Sequence, residues 1–305
     1  MIRGRDGKPV DRKMRRMPAK ILPLRTVLLT ALTMLAFAGN SLLCRLALKD
    51  TAIDAASFTT VRLVSGALAL WLLVRLRQGA QPLAGNGWSA CALFVYAAGF
   101  SFAYLSLPAA TGALLLFGAV QATMIGYGYW RGERFSAMRS AGFLLAVTGL
   151  IGLLLPGLSA PPLPGALLML AAGISWGIYS LRGKGGGDPT RATAGNFLRA
   201  VPFAVVLSVI FWPQTRLDAS GFLLAVASGA LTSGLGYALW YAVLPALAAS
   251  TAATVQLSVP VIATVGAVFW LNEAVSARLV LASLAVLGGI ALVIRGRRAG
   301  LMEKR

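Results

Sequence analysis

Apolar residues run along this chain in long blocks instead of alternating with polar ones. Ten of these blocks are long enough to cross a bilayer, which takes about 20 residues of helix. They are predicted at 24–47, 56–76, 88–107, 110–130, 137–155, 163–182, 195–213, 218–242, 248–271 and 277–295. Turn-forming clusters punctuate them at 79–87, 156–164, 183–189 and 213–218, where glycine, proline and small polar residues release the chain from helix. No connection is long enough to hold a soluble domain. The first block follows a basic stretch and shows no small-residue cleavage site, so it is predicted to be a retained helix and not a removed signal. The expected fold class is an all-α membrane protein.

The blocks repeat. Tyr104-Leu-Ser-Leu-Pro108, an apolar run from Thr111, Trp130-Arg-Gly-Glu133 and Gly149 recur as Tyr241-Ala-Val-Leu-Pro245, a run from Thr251, Trp270-Leu-Asn-Glu273 and Gly289. A slide of about 140 positions also pairs Gly126 with Gly266 and Ser136 with Ser276. Such self-similarity constrains the architecture before any local assignment. With five spans in each half, an odd number, the second half enters the membrane from the opposite side. The expectation is therefore ten transmembrane helices as two inverted five-helix repeats related by an axis in the membrane plane, the usual build of secondary transporters. The predicted organisation is a basic cytoplasmic tail (1–23), a first repeat (24–156), a second (161–296) and a C-terminal tail (297–305).

Composition narrows the function. Hydrophobic residues make up 58% and charged ones only 12%, which excludes an ordinary soluble domain. Histidine is absent and the only cysteines, Cys44 and Cys91, lie inside apolar runs. No metal site, disulfide, nucleotide loop or other cofactor is expected, and no enzymatic chemistry. The net charge of +19 does not imply nucleic acid, because the cations lie between spans or at the termini without interleaved aromatics. They follow membrane orientation instead. With the N-terminus inside, only Arg45, Lys49, Arg62, Arg216 and Arg278 fall outside. That predicts a multi-pass inner (plasma) membrane protein with both termini cytoplasmic, whose partners are lipid and a small-molecule substrate and whose working unit is a monomer.

The repeated residues resemble the drug/metabolite transporter superfamily in its ten-helix form with two EamA-type repeats. The resemblance rests on Trp176-Gly177 and its weaker counterpart Ala38-Gly39-Asn40, and on Arg62 and Arg199, which open spans two and seven. Tyr104…Pro108, Tyr241…Pro245, the two Trp-x-x-Glu motifs and the glycine-rich spans five and ten complete it, over roughly 24–296. Within the superfamily the pattern is similar to the aromatic amino-acid exporters. The first half departs from the second by lacking three residues between Pro108 and Thr111, and a proline equivalent to Pro260.

Candidate binding residues follow from helical spacing. Tyr96, Phe100 and Tyr104 recur every four residues on one face of span three, and Ser233, Tyr237 and Tyr241 do so on span eight. Span six adds Trp176 and Tyr179 at i, i+3. These rings suit an amphipathic guest, although lipid- or helix-facing packing explains them as well. Between their ends the spans hold no Asp, Glu, Lys or His, so polar contacts are expected from Asn40, Gln121, Gln256, Ser258 and backbone groups. Glu133 and Glu273 read as structural residues at span ends, the latter facing Arg278. Gly118, Ala122 and Gly126 form a small-residue stripe for close helix packing. Pro260, near the midpoint of span nine, is predicted to free the carbonyl of Gln256 and to act as a hinge. The function expected is export of small amphipathic metabolites, aromatic amino acids and analogues first, by alternating access. The alternatives are a broad exporter of other amino acids, nucleobases or drugs, and a passive channel.

Overall fold

The computed structural model describes residues 23–132, 136–157, 160–183, 187–247, 252 and 255–303, with side chains placed as far as Gly296. The basic N-terminal tail, Glu133 and Thr251 lie outside the described residues. No strand occurs among those described, and nine helices are long and apolar enough to cross a membrane. They are α1 (Leu24–Asp50), α2 (Ala55–Gln78), α3 (Gly87–Tyr104), α4 (Ala109–Trp130), α5 (Ala137–Leu154), α6 (Leu163–Arg182), α7 (Pro189–Ile210), α8 (Ala219–Ala246) and α10 (Ala277–Glu303, its apolar part ending at Gly296). Between α8 and α10 stands α9 (Ser258–Leu271), apolar but only 14 residues long. This is an all-helical, multi-pass membrane protein.

Short polar side chains set where helices begin. Asp54, Asn86, Ser136, Asp188 and Asp218 each accept a backbone N–H from the first turn of α2, α3, α5, α7 and α8, satisfying donors that the helix leaves unpaired. The Asp188 cap, followed by Pro189 in the first turn, explains why α7 starts six residues before the apolar block does. Asn272, in the left-handed region at φ 50°, closes α9.

Helix α8 is not uniform. Its middle, Ala227–Leu235, is wound as a π-helix, a wider turn that is frequent at functional sites.

Packing places α4 at the centre: every residue from Ala109 to Gln121 is buried, the mark of a helix enclosed on all sides. The principal pairings are α5 with α10, α2 with α7, α3 with α6, α4 with α6, and α2 with α8, joined by α1 with α8 and with α9, α4 with α9, and α3 with α7. The α5–α10 contact depends on glycine, since a Cβ on Gly142 would stand 2.5 Å from the Gly289 carbonyl, and one on Gly289 equally close to that of Gly142. The predicted stripe on α4 is only partly of this kind: Gly118 abuts Leu150, whereas Gly126 faces open space. Outward surfaces are apolar, with Leu28, Leu68, Leu144, Val206 and Leu281 exposed. Such a surface suits acyl chains, against which only backbone-satisfied helices are stable.

Candidate functional site

The site is built where α1, α3, α6 and the π-wound part of α8 meet α4. On α3, four-residue spacing stacks Tyr96, Phe100 and Tyr104 on one face, with ring centroids 5.6 and 4.8 Å apart. Trp176 of α6 comes across to within 4.9 Å of Tyr96 and 4.8 Å of Tyr237 on α8. Phe37 on α1 packs edge-on against Tyr237 at 5.8 Å. Phe37, Tyr96, Phe100, Trp176 and Tyr237, with Leu116 and Phe117 of α4, enclose a cavity whose polar wall is Asn40 and Thr232. In this conformation the free space is about 20 Å³, one water-sized volume, so a ring-sized guest requires the helices to part.

The polar wall is a hydrogen-bonded network. Asn40 Nδ2 donates to Tyr96 Oη at 3.2 Å, and Ser228 Oγ donates to Asn40 Oδ1 at 2.7 Å, with Thr232 Oγ1 3.2 Å from the same oxygen. The widened turn of α8 supplies Ser228, Thr232 and Ser233 together.

Next to this wall lies Arg62 of α2. It is 1% exposed and sits seven residues into its helix, about 10 Å along the axis. Its Nη2 donates to Tyr96 Oη at 2.8 Å and its Nε to Ser233 Oγ at 3.3 Å. The guanidinium carbon stands 4.7 Å from the Phe100 ring centre and 5.1 Å from that of Tyr96, within cation–π range. Its Nη1 is buried and has no hydrogen-bond partner. The sequence reading counted Arg62 with the cations outside the membrane; the structure corrects this. Absence of Asp, Glu, Lys and His between the span ends had left the interior without charge, yet a guanidinium is there and, among the described residues, no carboxylate pairs with it. Its location eight residues past the Asp54 cap was the available signal. Arg199, expected to open span seven as Arg62 opens span two, lies ten residues past the start of α7, is exposed and donates to the carbonyls of Ala84 and Gly195.

Residues 163–295 match the EamA-like transporter family. An uncharacterized protein of Pseudomonas aeruginosa is 60% identical over 274 residues, covering 90% of this chain and 96% of its own. An uncharacterized transporter of Archaeoglobus fulgidus is 27% identical, with 82% and 90% covered. The chain belongs to the EamA-like transporter family. That places it in the drug/metabolite transporter superfamily. The threonine/homoserine exporter RhtA of Salmonella typhimurium is 30% identical over 176 residues, which span 53% of this chain and 58% of the exporter. A solved crystal structure with 20% identity shares the fold, with TM-score 0.63 over 90% of this chain and 98% of the other.

In this EamA-like transporter, Asn40, Tyr96, Phe100, Trp176 and Tyr237 line the cavity. Other candidates lie elsewhere. Tyr104 is wedged at the α3–α4 joint against Gly112, where a Cβ would strike its ring, with its hydroxyl 3.4 Å from the Ala109 carbonyl. Tyr179 stacks on Trp176 at 5.3 Å and accepts from Asn196 Nδ2 at 3.4 Å. Tyr241 lines a separate depression beside Gln78 and Asp188. Gln121 is buried at the end of the enclosed part of α4, and half-buried Gln256 is not among the residues lining the cavity. Pro260 is the third residue of α9, after a turn at Leu257, so it stands in a first turn, where a missing N–H costs little, and not at mid-helix. Sequence reasoning missed Phe37, Leu116, Phe117, Ser228 and Thr232. Phe37 shares a helical face with Asn40 and was within reach; Leu116 and Phe117 carry no signal that separates them from packing.

Glu273 does not face Arg278. Its Oε1 accepts from Arg45 Nε at 3.0 Å and its Oε2 from the Ala109 N–H at 2.7 Å, while Arg278 donates to the carbonyls of Leu155 and Pro156. Arg45 Nη1 also reaches the Tyr104 carbonyl at 2.8 Å, and Lys49 Nζ the Leu271 carbonyl at 2.9 Å. The ends of α1, α3 and α9 and the start of α4 are thereby clasped at one end of the molecule.

Proposed function

We propose that this EamA-like transporter exports small amphipathic metabolites across the plasma membrane, aromatic amino acids and close analogues first among them. The carrying observation is a cavity among α1, α3, α4, α6 and α8 that joins six aromatic rings to an asparagine–hydroxyl network. Rings offer stacking surface to an apolar side chain, and the network offers hydrogen bonds to a polar head group. Alternating access is supported by the pairing pattern. Exchanging each of the first five helices with the one five places later maps α3–α6 onto α1–α8, α4–α6 onto α1–α9 and α2–α8 onto α3–α7, and leaves α2–α7, α4–α9 and α5–α10 unchanged. This twofold pairing supports two inverted repeats that rock about the region of α4 and α9, and the Lys/Arg bias supports cytoplasmic termini; the working unit in this reading is the monomer. With no Asp, Glu, Lys or His between the span ends, flux down the substrate's own gradient needs no imposed proton gradient.

A second reading is an exporter of smaller, more polar amino acids. It is favoured by the small closed cavity, the Asn40–Thr232 wall and the RhtA relative. Counterflow in liposomes holding the purified protein separates the two. Phenylalanine and tryptophan are expected to exchange saturably, without a pH difference and faster than threonine or homoserine. Threonine outrunning both aromatics supports the second reading; flux that neither saturates nor shows counterflow overturns a carrier altogether.

A further inference from the structure

An uncompensated cation inside a membrane protein asks for an explanation. Taking a guanidinium out of water costs several kcal/mol unless charge and hydrogen bonds replace hydration, and ionisable groups at that depth pair with one another or mark a substrate path. Arg62 has part of that replacement. Two of its nitrogens reach Tyr96 and Ser233, and two rings lie within cation–π distance, but Nη1 is buried without a partner. No carboxylate among the described residues is paired with it. Its partners are also cavity parts: Tyr96 and Phe100 form both the cavity wall and the inner face of the guanidinium site.

We propose that Arg62 is the anion-recognition residue of the transport site: it binds a carboxylate of the guest, which supplies the missing counter-charge. A planar guanidinium presents parallel N–H donors to a carboxylate, and the free Nη1 lies beside the Nη2 now given to Tyr96. When the helices part, withdrawal of the Tyr96 hydroxyl or the Phe100 ring opens that edge to the guest. The amino group of a zwitterion then meets the oxygens of Asn40, Ser228 and Thr232, and its side chain the rings. This reading deepens the proposed export of amphipathic metabolites and rests on it for the site's location. It adds a chemical requirement: guests carry a carboxylate.

The test uses binding as well as flux, so that the two ideas fail separately. Purified wild-type protein is titrated with 3-phenylpropanoate, its uncharged amide and phenylalanine methyl ester, following thermal stability, and the same compounds compete in phenylalanine counterflow. The carboxylate is expected to bind about tenfold or more tightly than the amide or ester. Arg62→Gln is expected to abolish that preference, and Arg62→Lys to keep part of it through its charge. Equal binding of acid and amide by the wild-type protein overturns the proposal without any variant having to fold. A preference for the acid that survives in Arg62→Gln assigns the anion site elsewhere and overturns it too. A carboxylate preference lost in Arg62→Gln, in a protein that does not move phenylalanine, upholds Arg62 while refuting aromatic amino-acid export.

Discussion

Asp54 shows how one side chain at the membrane surface joins two parts of the fold. Its Oδ1 accepts the N–H groups of Ala56 and Ser57, both at 2.9 Å, and caps α2. Its Oδ2 accepts the Arg216 N–H at 2.8 Å, tying α2 to the segment that leads into α8. Burial alone would raise the carboxyl's pKa, but these bonds outweigh it and hold the group below its ordinary 3.8. Because the folded value is the depressed one, the carboxylate's contribution is complete above the ordinary value and is lost as pH falls through the lower, folded value. Asp54→Ala is expected to cost about 1 kcal/mol near neutrality, the usual worth of an N-cap. In thermal unfolding followed against pH, the gap between the two proteins should narrow below pH 3.8. A gap independent of pH would show that the carboxylate charge is not what stabilises this joint.

Among elements, the α5–α10 pair is one that depends on the absence of side chains on both partners. Gly142→Ala would drive a Cβ to 2.5 Å from the Gly289 carbonyl, and backbone cannot step aside as a flexible side chain can. The expected loss is about 1–3 kcal/mol, as for other overpacked contacts. Gly288→Ala, with nothing within 4 Å of the new atom, should be neutral or slightly stabilising, since alanine favours helix. Thermal unfolding of both variants in detergent checks the contrast, and equal effects would refute the close approach. Apolar runs, turn clusters and glycine spacing made these helices legible in the sequence, because each is a local property. Which of Gly288 and Gly289 faces a neighbour was not legible, since that depends on how the helix is rotated in the assembly. The same reason hid the surroundings of Arg62: its residue type reads as a span-end cation, and only the arrival of Tyr96, Phe100 and Ser233 from other helices makes it a buried one. Periodicity did bring Tyr96 and Phe100 to one face, yet Tyr104, one turn on, had passed the cavity and entered the α3–α4 joint.

At the scale of the whole molecule, the clasp formed by Arg45, Glu273 and Ala109 ties the two halves at one end. Its ion pair is mostly buried, with side chains 14% and 9% exposed. Any movement that opens the cavity toward that end must part α1 from the end of α9, and therefore break it. Removing a pair worth ~1 kcal/mol or more, the upper end of the range for exposed pairs, shifts such an equilibrium by about fivefold or more. In a background without Cys44 and Cys91, Thr232→Cys should accordingly react faster with a water-soluble maleimide when Glu273→Gln or Arg45→Met is added. The reagent is supplied from the side that carries the α1–α2 turn. Unchanged reactivity would mean that the clasp does not hold that end shut.

The π-wound stretch of α8 also bears on how relatives of this chain diverge. A π turn holds more residues than an α turn, so its side chains keep their places only while the count between Ala227 and Leu235 is kept. Deleting one codon there would return the stretch to ordinary winding, keeping the flanking turns close to register while moving the side chains within it around the helix axis. Ser228, Thr232 and Ser233 would then no longer face α1 and α2 together, though none of them had been substituted. A change of helical register, and not only replacement of wall residues, is therefore a single-step route from one guest to another.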